Sequence, residues 1–115
     1  MKELIDYEIK KESWEKQYNS GRYNPALEIH YTINEKQHIN TLSAGYSDDI
    51  TVFYDNEYVY VLSINKGLMY AGLEEFKQGE IYGNVYMDEF NLKESDIDID
   101  NMKDLEIVNI LTSYI

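Results

Sequence analysis

The fold of this chain depends on residues 50–87, which read ITVFYDNEYVYVLSINKGLMYAGLEEFKQGEIYGNVYM. Four runs of strand-forming residues are separated here by three short segments rich in Asn, Asp and Gly, which are typical of tight turns. The second run, residues 58–64, is apolar on both of its alternating faces, as expected of a central strand that is covered on two sides. We therefore predict a β-meander over residues 50–87 with residues 58–64 at its centre.

The turns of this meander are predicted from their residues. Asp55 and Asn56 suit the positive-φ positions of a two-residue hairpin. Residues 65–67 and 77–79 each end in glycine, which favours a three-residue loop whose last residue is left-handed. Gly72 lies inside a predicted strand, where glycine indicates a bulge or the close approach of another group to the backbone.

The segments before the meander are expected to add a helix and a hairpin. Residues 10–19 combine Trp14 and Tyr18 at helical spacing with many charged residues, which favours a helix that packs both rings on the sheet. Residues 26–33 alternate in the manner of a strand, and residues 37–44 follow after a turn-forming segment. We therefore predict an N-terminal helix followed by a β-hairpin.

The end of the chain is expected to form a second helix. Apolar side chains recur at helical spacing, at Met102, Leu105, Val108, Leu111 and Ile115. Asp100 or Asn101 is well placed as the N-cap, with Asp104 in the first turn. The predicted fold class is α+β, an antiparallel sheet of about five or six strands that includes the meander at residues 50–87. An N-terminal and a C-terminal helix flank this sheet in one domain of residues 1–115.

Composition restricts the compartment. The chain has no cysteine, which excludes disulfides, thiolate zinc sites and cysteine nucleophiles and is typical of a reducing cytoplasm. Its apolar runs are far shorter than the ~20 residues that span a bilayer, and its first residues lack the pattern of a signal segment. Abundant Ile, Asn, Lys and Tyr have AT-rich codons, which indicates a low-GC genome. We expect a soluble protein in the cytoplasm of a bacterial host cell, with no membrane contact.

Charge is distributed unevenly along the chain. Lys and Arg number 10 against 22 Asp and Glu, which gives a net charge of −12. Residues 1–46 hold six basic and seven acidic side chains, net −1, whereas residues 47–115 hold four and fifteen, net −11. A surface this acidic repels nucleic acid and anionic membranes. We therefore expect no direct nucleic-acid binding and a basic protein as the partner.

Asp96, Asp98 and Asp100 begin like a calcium-binding loop. The match ends at position six, where Asn101 replaces glycine, and at position twelve, where Ile107 replaces a bidentate glutamate. In an extended chain the three carboxylates would share one face at a spacing of about 6.6 Å, close to the ~6.8 Å between two phosphates along one DNA strand. We therefore expect a solvated acidic segment without a metal ion, with phosphate mimicry as its functional interpretation.

Patterns for catalysis and metal binding are incomplete elsewhere. The two histidines, His30 and His38, can approach each other in a hairpin but have no convincing third ligand. No serine lies in a nucleophile-elbow or triad pattern, and no Gly-rich phosphate loop or dinucleotide fingerprint is present. Adjacent carboxylates such as Glu74 and Glu75 are too common among 22 acidic residues to indicate acid/base catalysis. We predict no enzyme, no metal and no cofactor.

Twelve tyrosines indicate a contact surface, because Tyr is enriched at protein interfaces. Six of them fall in the meander, and we expect about half to be buried and the rest to lie among carboxylates on a Tyr-rich face of the sheet. Carboxylates can pair with Lys and Arg while tyrosine rings stack on guanidinium groups. The predicted partner-binding residues are Asp88, Glu89, Glu94, Asp96, Asp98, Asp100, Tyr82 and Tyr86.

These expectations favour a non-enzymatic inhibitor or interaction protein that binds a basic, nucleic-acid-binding partner. In size and charge the chain resembles the small acidic anti-defence proteins of phages and mobile elements, including anti-CRISPR and DNA-mimic inhibitors. That resemblance implies a binding function and rests on no motif. The alternatives are a small-ligand or nucleotide-binding domain with a Tyr-lined pocket, and an immunity protein that binds a toxin.

Overall fold

A computed structural model describes residues 1–11, 27–42, 49–79 and 86–113 of the chain. These residues form eight β-strands, one 3₁₀ helix and one α-helix. The strands are β1 (Lys2–Glu3), β2 (Tyr7–Lys11), β3 (Leu27–Ile33), β4 (Lys36–Leu42), β5 (Asp49–Tyr54), β6 (Tyr58–Asn65), β7 (Tyr70–Lys77) and β8 (Tyr86–Asn91). The helices are the 3₁₀ helix Leu92–Glu94 and α1 (Asp104–Thr112).

The strands form two antiparallel sheets. The larger one, called the central sheet, has the order β1-β5-β6-β7-β8, and the smaller one, called the second sheet, has the order β2-β3-β4. Residues 92–112, which contain both helices and the connection between them, are called the helical layer. No helix among the described residues has the length and apolar character needed to cross a membrane.

The central sheet lies between the second sheet and the helical layer. One of its faces packs on the second sheet, in a cluster of Leu4, Ile29, Tyr31, Ile33, Leu42, Val52, Val59, Val61 and Phe76. Its other face packs on the helical layer, in a cluster of Phe53, Tyr60, Leu62, Ile64, Ala71, Leu73, Leu92, Ile97, Ile107, Val108 and Leu111. Strand β6 contributes to both clusters, which explains why both of its faces are apolar.

The meander and its central strand are confirmed for the described residues. Strand β6 is hydrogen-bonded to β5 on one side and to β7 on the other, with Val61 opposite Val52 and Leu62 opposite Leu73. The predicted fourth run began at residue 80. Strand β8 begins at Tyr86, and residues 80–85 lie outside the described part.

The predicted α+β class with two flanking helices is wrong. The described chain is mostly β, with eight strands in two antiparallel sheets and a single short helix near its C-terminus. Strand β2 occupies the position where the N-terminal helix was expected to begin, because Tyr7 and Ile9 alternate and pair with Tyr31 and Ile29 of β3. The remainder of that predicted helix, including Trp14 and Tyr18, lies outside the described residues.

The hairpin of β3 and β4 is confirmed, and it builds the second sheet instead of extending the central one. Ile33 pairs with Lys36 across a two-residue turn. Asn34 and Glu35 both have positive φ, 52° and 67°, which is the geometry of a type I′ turn. This turn matches the right-handed twist of the strands that it joins.

Two of the predicted meander turns differ in detail. Asp55 is not left-handed; its carboxylate accepts hydrogen bonds from the backbone N–H groups of Glu57 and Tyr58, at 2.8 and 2.7 Å. After β6 the left-handed residue is Met69, with φ 58°, and not Gly67. The carbonyl of Met69 accepts a hydrogen bond from the N–H of Leu92, and its side chain packs on the core. At Gly79 the predicted left-handed conformation is confirmed, with φ 78°.

The C-terminal helix is present but begins later and faces the core differently. Helix α1 has Lys103 as its N-cap, without a side-chain capping bond, so neither Asp100 nor Asn101 caps it. Its buried residues are Ile107, Val108 and Leu111, whereas Leu105 is 38 % exposed. Asp104 accepts a hydrogen bond of 2.6 Å from the Thr51 hydroxyl on β5. That bond links the first turn of the helix to the sheet.

We predict that the helix contributes to stability through its inner side alone. Ile107→Ala and Leu111→Ala should each lower the free energy of unfolding by about 2 to 5 kcal/mol, because both side chains are fully buried. The same truncation at Leu105 should lower it by less than about 1 kcal/mol, since that side chain is partly in solvent. Urea unfolding followed by circular dichroism measures the three values. Equal losses at Leu105 and Leu111 would show that the helix packs in another orientation.

Candidate functional site

Among the described segments, the one that contains the helical layer has the largest excess of acidic over basic residues. Residues 86–113 contain eight Asp and Glu and two Lys. Apolar residues alternate with acids along residues 96–100, and Ile97 is buried in the core while Asp96, Asp98 and Asp100 are exposed. Each apolar contact with the central sheet therefore turns the neighbouring carboxylates towards solvent. Glu106 is exposed in the same way on the outer side of α1.

Asp98 organises the connection before α1. Its carbonyl accepts hydrogen bonds from the N–H groups of Asn101 and Met102, at 3.3 and 2.8 Å. Its carboxylate accepts bonds from the Asn101 side-chain amide at 2.7 Å and from the Asp100 N–H at 3.1 Å. The chain therefore turns at Asp98. The extended row of three carboxylates, and with it the even spacing that would match DNA phosphates, is not formed.

The same side-chain hydrogen bonds favour the ionised form of Asp98. The bond from the Asn101 amide, with the backbone bond from Asp100, holds the pKa of the Asp98 carboxyl below its usual value. This carboxylate is fully exposed and remains ionised over a wider pH range than an ordinary aspartate.

Four exposed acids of the helical layer have no cationic partner among the described residues. The ion pairs among the described residues join Glu8 to Lys10 and Glu57 to Lys77, and His30 lies 3.7 Å from Glu28, a contact that is an ion pair only when the histidine is protonated. All three contacts lie outside the helical layer. Asp96, Asp98, Asp100 and Glu106 form no ion pair with any described residue. The negative charge of this surface is therefore uncompensated within the part of the chain that the structure describes.

The predicted partner-binding residues do not form one surface. Asp96, Asp98 and Asp100 lie together on the outer side of the helical layer, and Glu94 ends the 3₁₀ helix. Glu89 is exposed but pairs with Gly72 on the face of the central sheet that is turned towards the second sheet. Tyr86 and Asp88 lie on β8, opposite Glu75 and Leu73. Tyr82, together with the side chains of Tyr86, Asp88 and Glu94, lies outside the described part.

A tyrosine platform on one face of the sheet is not found among the described residues. Strand alternation places Tyr58 and Tyr60 on the side of the helical layer, whereas Tyr54 and Tyr70 lie on the opposite face. Tyr60 is buried, and Tyr70 is 44 % exposed. Among the meander tyrosines whose side chains the structure describes, Tyr70 is therefore the one most available for contact with a partner.

The two histidines lie on opposite faces of the second sheet. His30 of β3 pairs with Ile39, whereas His38 pairs with Tyr31, the residue that follows His30 in β3. Consecutive residues of a strand point to opposite faces. Among the described residues, no three His, Asp or Glu side chains are grouped closely enough to hold a metal ion. An open groove of about 610 Å³ runs along this sheet and includes His30, His38 and Tyr31 in its lining.

The groove offers little free hydrogen-bonding capacity at Tyr31, one of its two tyrosines. The Tyr31 hydroxyl donates to the side-chain oxygen of Asn40 at 2.6 Å and accepts from the Gly79 N–H at 3.2 Å. Burial raises the pKa of Tyr31 despite the bond from Gly79. Both hydrogen bonds of the hydroxyl are therefore formed within the chain, and the bond from Gly79 links the second sheet to the residues that follow β7.

A cluster that the sequence patterns did not reveal surrounds Asp55. The Tyr60 hydroxyl donates to its carboxylate at 2.7 Å, and the Gln78 side chain donates to its carbonyl at 2.7 Å. Tyr60 pairs with Glu75 across the strands. Glu74, the neighbour of Glu75 along the chain, points the other way and is fully buried. The two glutamates therefore do not form a joint acid/base pair, and the Asp55 cluster joins the β5–β6 turn to β7.

The ionisable groups of this cluster have opposite pKa shifts. Partial burial tends to raise the pKa of Asp55, but the hydrogen bonds from Tyr58, Glu57 and Tyr60 together outweigh it and lower the pKa below 3.8. Burial raises the pKa of Glu75 above 4.5, and the negative charge of Asp55 adds to that effect. Burial and the bond to Asp55 likewise raise the pKa of Tyr60.

We predict opposite effects of neutralising the two carboxylates. Ionised Asp55 stabilises the fold at pH above 3.8, and this contribution is lost as the pH falls through its lowered pKa. Ionised Glu75 destabilises the fold at pH above its raised pKa, and the penalty disappears as the pH falls to 4.5. At pH 7, Asp55→Asn should cost about 1 kcal/mol, whereas Glu75→Gln should add on the order of 0.5 kcal/mol, both reduced by solvent screening.

Urea unfolding of the two variants between pH 3 and pH 7 tests these signs. The gain from Glu75→Gln should shrink towards zero at the acidic end of this range. A loss of stability at pH 7 in Glu75→Gln would contradict the conclusion that burial and the charge of Asp55 destabilise ionised Glu75.

No protein-family model matches this chain, and comparisons with curated proteins and with solved structures gave no match. The function of the chain has to be inferred from its own charges and contacts.

Proposed function

We propose that this chain is a small non-enzymatic binding protein that inhibits a basic, nucleic-acid-binding protein. The observation that carries the proposal is the outer side of the helical layer, where exposed carboxylates have no cationic partner among the described residues. In its finer form the proposal is an anti-defence protein of a phage or mobile element, of the anti-CRISPR or DNA-mimic type. It would act in the cytoplasm of a bacterial host cell.

The physical basis is electrostatic attraction to a basic groove. A net charge of −12 on 115 residues creates a field that speeds the approach of a positively charged partner and repels nucleic acid. The turn at Asp98 and the buried side chain of Ile97 hold the carboxylates in place before binding, which lowers the entropy lost on association. Because these acids form no regular row, the proposed mimicry is one of charge and not of phosphate spacing.

A small-ligand function is the second candidate, and the groove on the second sheet favours it. Its volume of about 610 Å³ lies within the ~300 to 1,000 Å³ that is typical of ligand pockets. The groove is open, however, and mixes charged side chains such as Lys10 and Glu8 into its lining, whereas ligand pockets are mostly apolar and enclosed. An immunity protein that binds a basic toxin belongs to the same binding class as the first proposal.

We predict that binding depends on the acids before α1. Affinity capture from a low-GC bacterial lysate provides the partner, and binding is then measured between 0.1 and 1 M salt, where the Debye length falls from about 10 to about 3 Å. A variant with Asp96, Asp98 and Asp100 changed to Asn should associate more slowly and show a flatter salt dependence. Asp98→Asn loses one of the two side-chain hydrogen bonds of the turn. The backbone bonds from Asn101 and Met102 to the carbonyl of residue 98 are unaffected, so the fold should remain intact.

The matched control changes Glu3, Asp6 and Glu35, which are exposed acids outside the helical layer, to Gln, Asn and Gln. It removes the same charge and should retain most of the salt dependence. Equal effects of both variants would show that net charge alone drives binding. If the first variant binds with unchanged affinity and salt response, the acidic segment is not the interface. If a nucleotide or metabolite copurifies and no protein is captured, the small-ligand candidate takes precedence.

We also predict that the chain acts stoichiometrically. Inhibition of the captured partner should saturate near a fixed molar ratio, because the proposal requires binding without turnover. Titration of the partner's activity at concentrations far above the dissociation constant measures this ratio. Complete inhibition at a small fraction of one equivalent would indicate an enzyme and would overturn the proposal.

A further inference from the structure

The central sheet has a bare area of backbone at Gly72. This residue lies inside β7, where it pairs with Ser63 of β6 on one side and with Glu89 of β8 on the other. A Cβ atom placed on Gly72 would meet no atom of the described residues within 4 Å, and the φ of Gly72 is not positive. Neither backbone conformation nor crowding therefore requires glycine here. A glycine inside a strand often marks a bulge, a tight bend or a place where a ligand or another chain approaches closely. The pairing of β7 with β6 and β8 is continuous through Gly72, without a bulge.

The side chains around this area form a shallow notch. Tyr70 lies two residues before Gly72 on the same face of the sheet, and the residue is 44 % exposed. Glu89 is exposed on the neighbouring strand, diagonal to Tyr70, at a separation of about 7 to 8 Å in this geometry. The Ser63 hydroxyl lies opposite, on β6. The notch is thus defined by Tyr70, Gly72, Glu89 and Ser63, with backbone as its floor.

The end of the notch is held in a fixed shape. Asn65 and Asn91 pair with Tyr70 on its two sides. The Asn65 side chain accepts a hydrogen bond from the Leu68 N–H at 2.9 Å, and that of Asn91 accepts one from the Lys93 N–H at 3.0 Å. Both amides therefore fasten the turns next to Tyr70. A ligand would meet a preformed surface, which reduces the loss of conformational entropy on binding.

We propose that this notch binds an arginine side chain of the basic partner. The inference rests on the proposed function, and it adds a defined contact to that function. The guanidinium group lies over Gly72, stacks on the exposed ring of Tyr70 and donates hydrogen bonds to the carboxylate of Glu89. The absence of a side chain at position 72 leaves room for the planar group.

Arginine fits this notch better than lysine does. The guanidinium group is flat, so it can stack on a ring while its N–H groups reach a carboxylate in the same plane. It is also less strongly hydrated than an ammonium group, which lowers the penalty for contact with the ring. Lysine would gain the charge interaction with Glu89 but would lose the stacking geometry. The notch therefore supplies selectivity that a general acidic surface lacks.

The test uses short peptides as probes and the intact chain labelled with nitrogen-15. Acetyl-Gly-Arg-Gly-amide, its lysine counterpart and octa-arginine are titrated separately while amide chemical shifts are recorded. The arginine peptide should shift the amides of Tyr70, Gly72 and Glu89, and its lysine counterpart should bind several-fold more weakly at these positions. Tyr70→Ser should weaken the arginine peptide about three- to fivefold, the range expected of one exposed cation–π contact, whereas Tyr70→Phe should retain it.

Gly72→Ala is the decisive variant. It fills the notch with one methyl group where space is available, so the melting temperature should not fall, and the shifts caused by the arginine peptide should be lost. Glu106→Gln is the matched control for Glu89→Gln: both remove one exposed charge, but only the change at Glu89 should weaken the peptide at the notch. Retention of the peptide by a folded Gly72→Ala protein would overturn the inference.

The remaining outcomes separate this inference from the proposed function. In one outcome, octa-arginine and the arginine peptide both shift the amides of residues 96–100 and leave Gly72 unaffected. That result would overturn the inference about the notch and would support the proposed acidic surface. If neither probe binds at 0.1 M salt, the proposed function fails and the notch fails with it. Equal shifts by the arginine and lysine peptides at Gly72 would reduce the notch to a nonselective charge contact and would also overturn the inference.

Discussion

The structure depends on the requirement to cover both faces of one strand. Strand β6 presents Val59 and Val61 on one side and Leu62 and Ile64 on the other, and all four are buried. Burial of apolar surface contributes roughly 25 cal/mol per Å², so a sheet with such a strand at its centre is stable only between two apolar layers. The second sheet supplies one layer and the residues after β8 supply the other.

This requirement also determines where the negative charge lies. The residues that cover the central sheet after β8 alternate between apolar anchors and acids, and the anchors Leu92, Ile97 and Ile107 occupy the inner side. The acids are left on the outer side by the same packing. Repulsion among them opposes folding, but it is weakened by water and salt because the carboxylates are exposed. The fold therefore tolerates a concentration of charge that would be prohibitive in its interior.

Features that depend on the local pattern of residues could be predicted from the sequence. Predictions were wrong where packing between distant segments determines the structure. Apolar residues on both faces of residues 58–64 were enough to identify the central strand, and the alternation of residues 26–33 identified β3. The charged residues near Lys10 favoured a helix. The structure has strand β2 there, because the alternating residues Tyr7 and Ile9 pair with β3, with Ile9 opposite Ile29. In the C-terminal helix, periodicity found the element and mistook its orientation, because spacing alone did not distinguish the inner Ile107 from the outer Leu105.

The candidate site could be predicted only in part for a similar reason. Composition located the acids after Met87, and their exposure follows from the alternation with Ile97 and Ile99. The turn at Asp98 was missed, because it depends on hydrogen bonds from Asn101 and Met102 and not on a recognisable motif. The division of the partner-binding residues between two faces was also missed, since the pairing of Glu89 with Gly72 depends on strand register.

Within the described part of the chain, the different sizes of the two sheets leave the notch at Gly72 uncovered. In the described chain a sheet of three strands covers one face of a sheet of five strands, and the shared core on that face contains Val52, Val61 and Phe76. Tyr70, Gly72 and Glu89 lie beyond this core, towards the β6–β7 turn and the β8 edge. Larger apolar residues at these positions would leave an exposed hydrophobic patch, which favours aggregation. Glycine and polar residues avoid that hazard and leave a surface with the charge and shape to receive a cation.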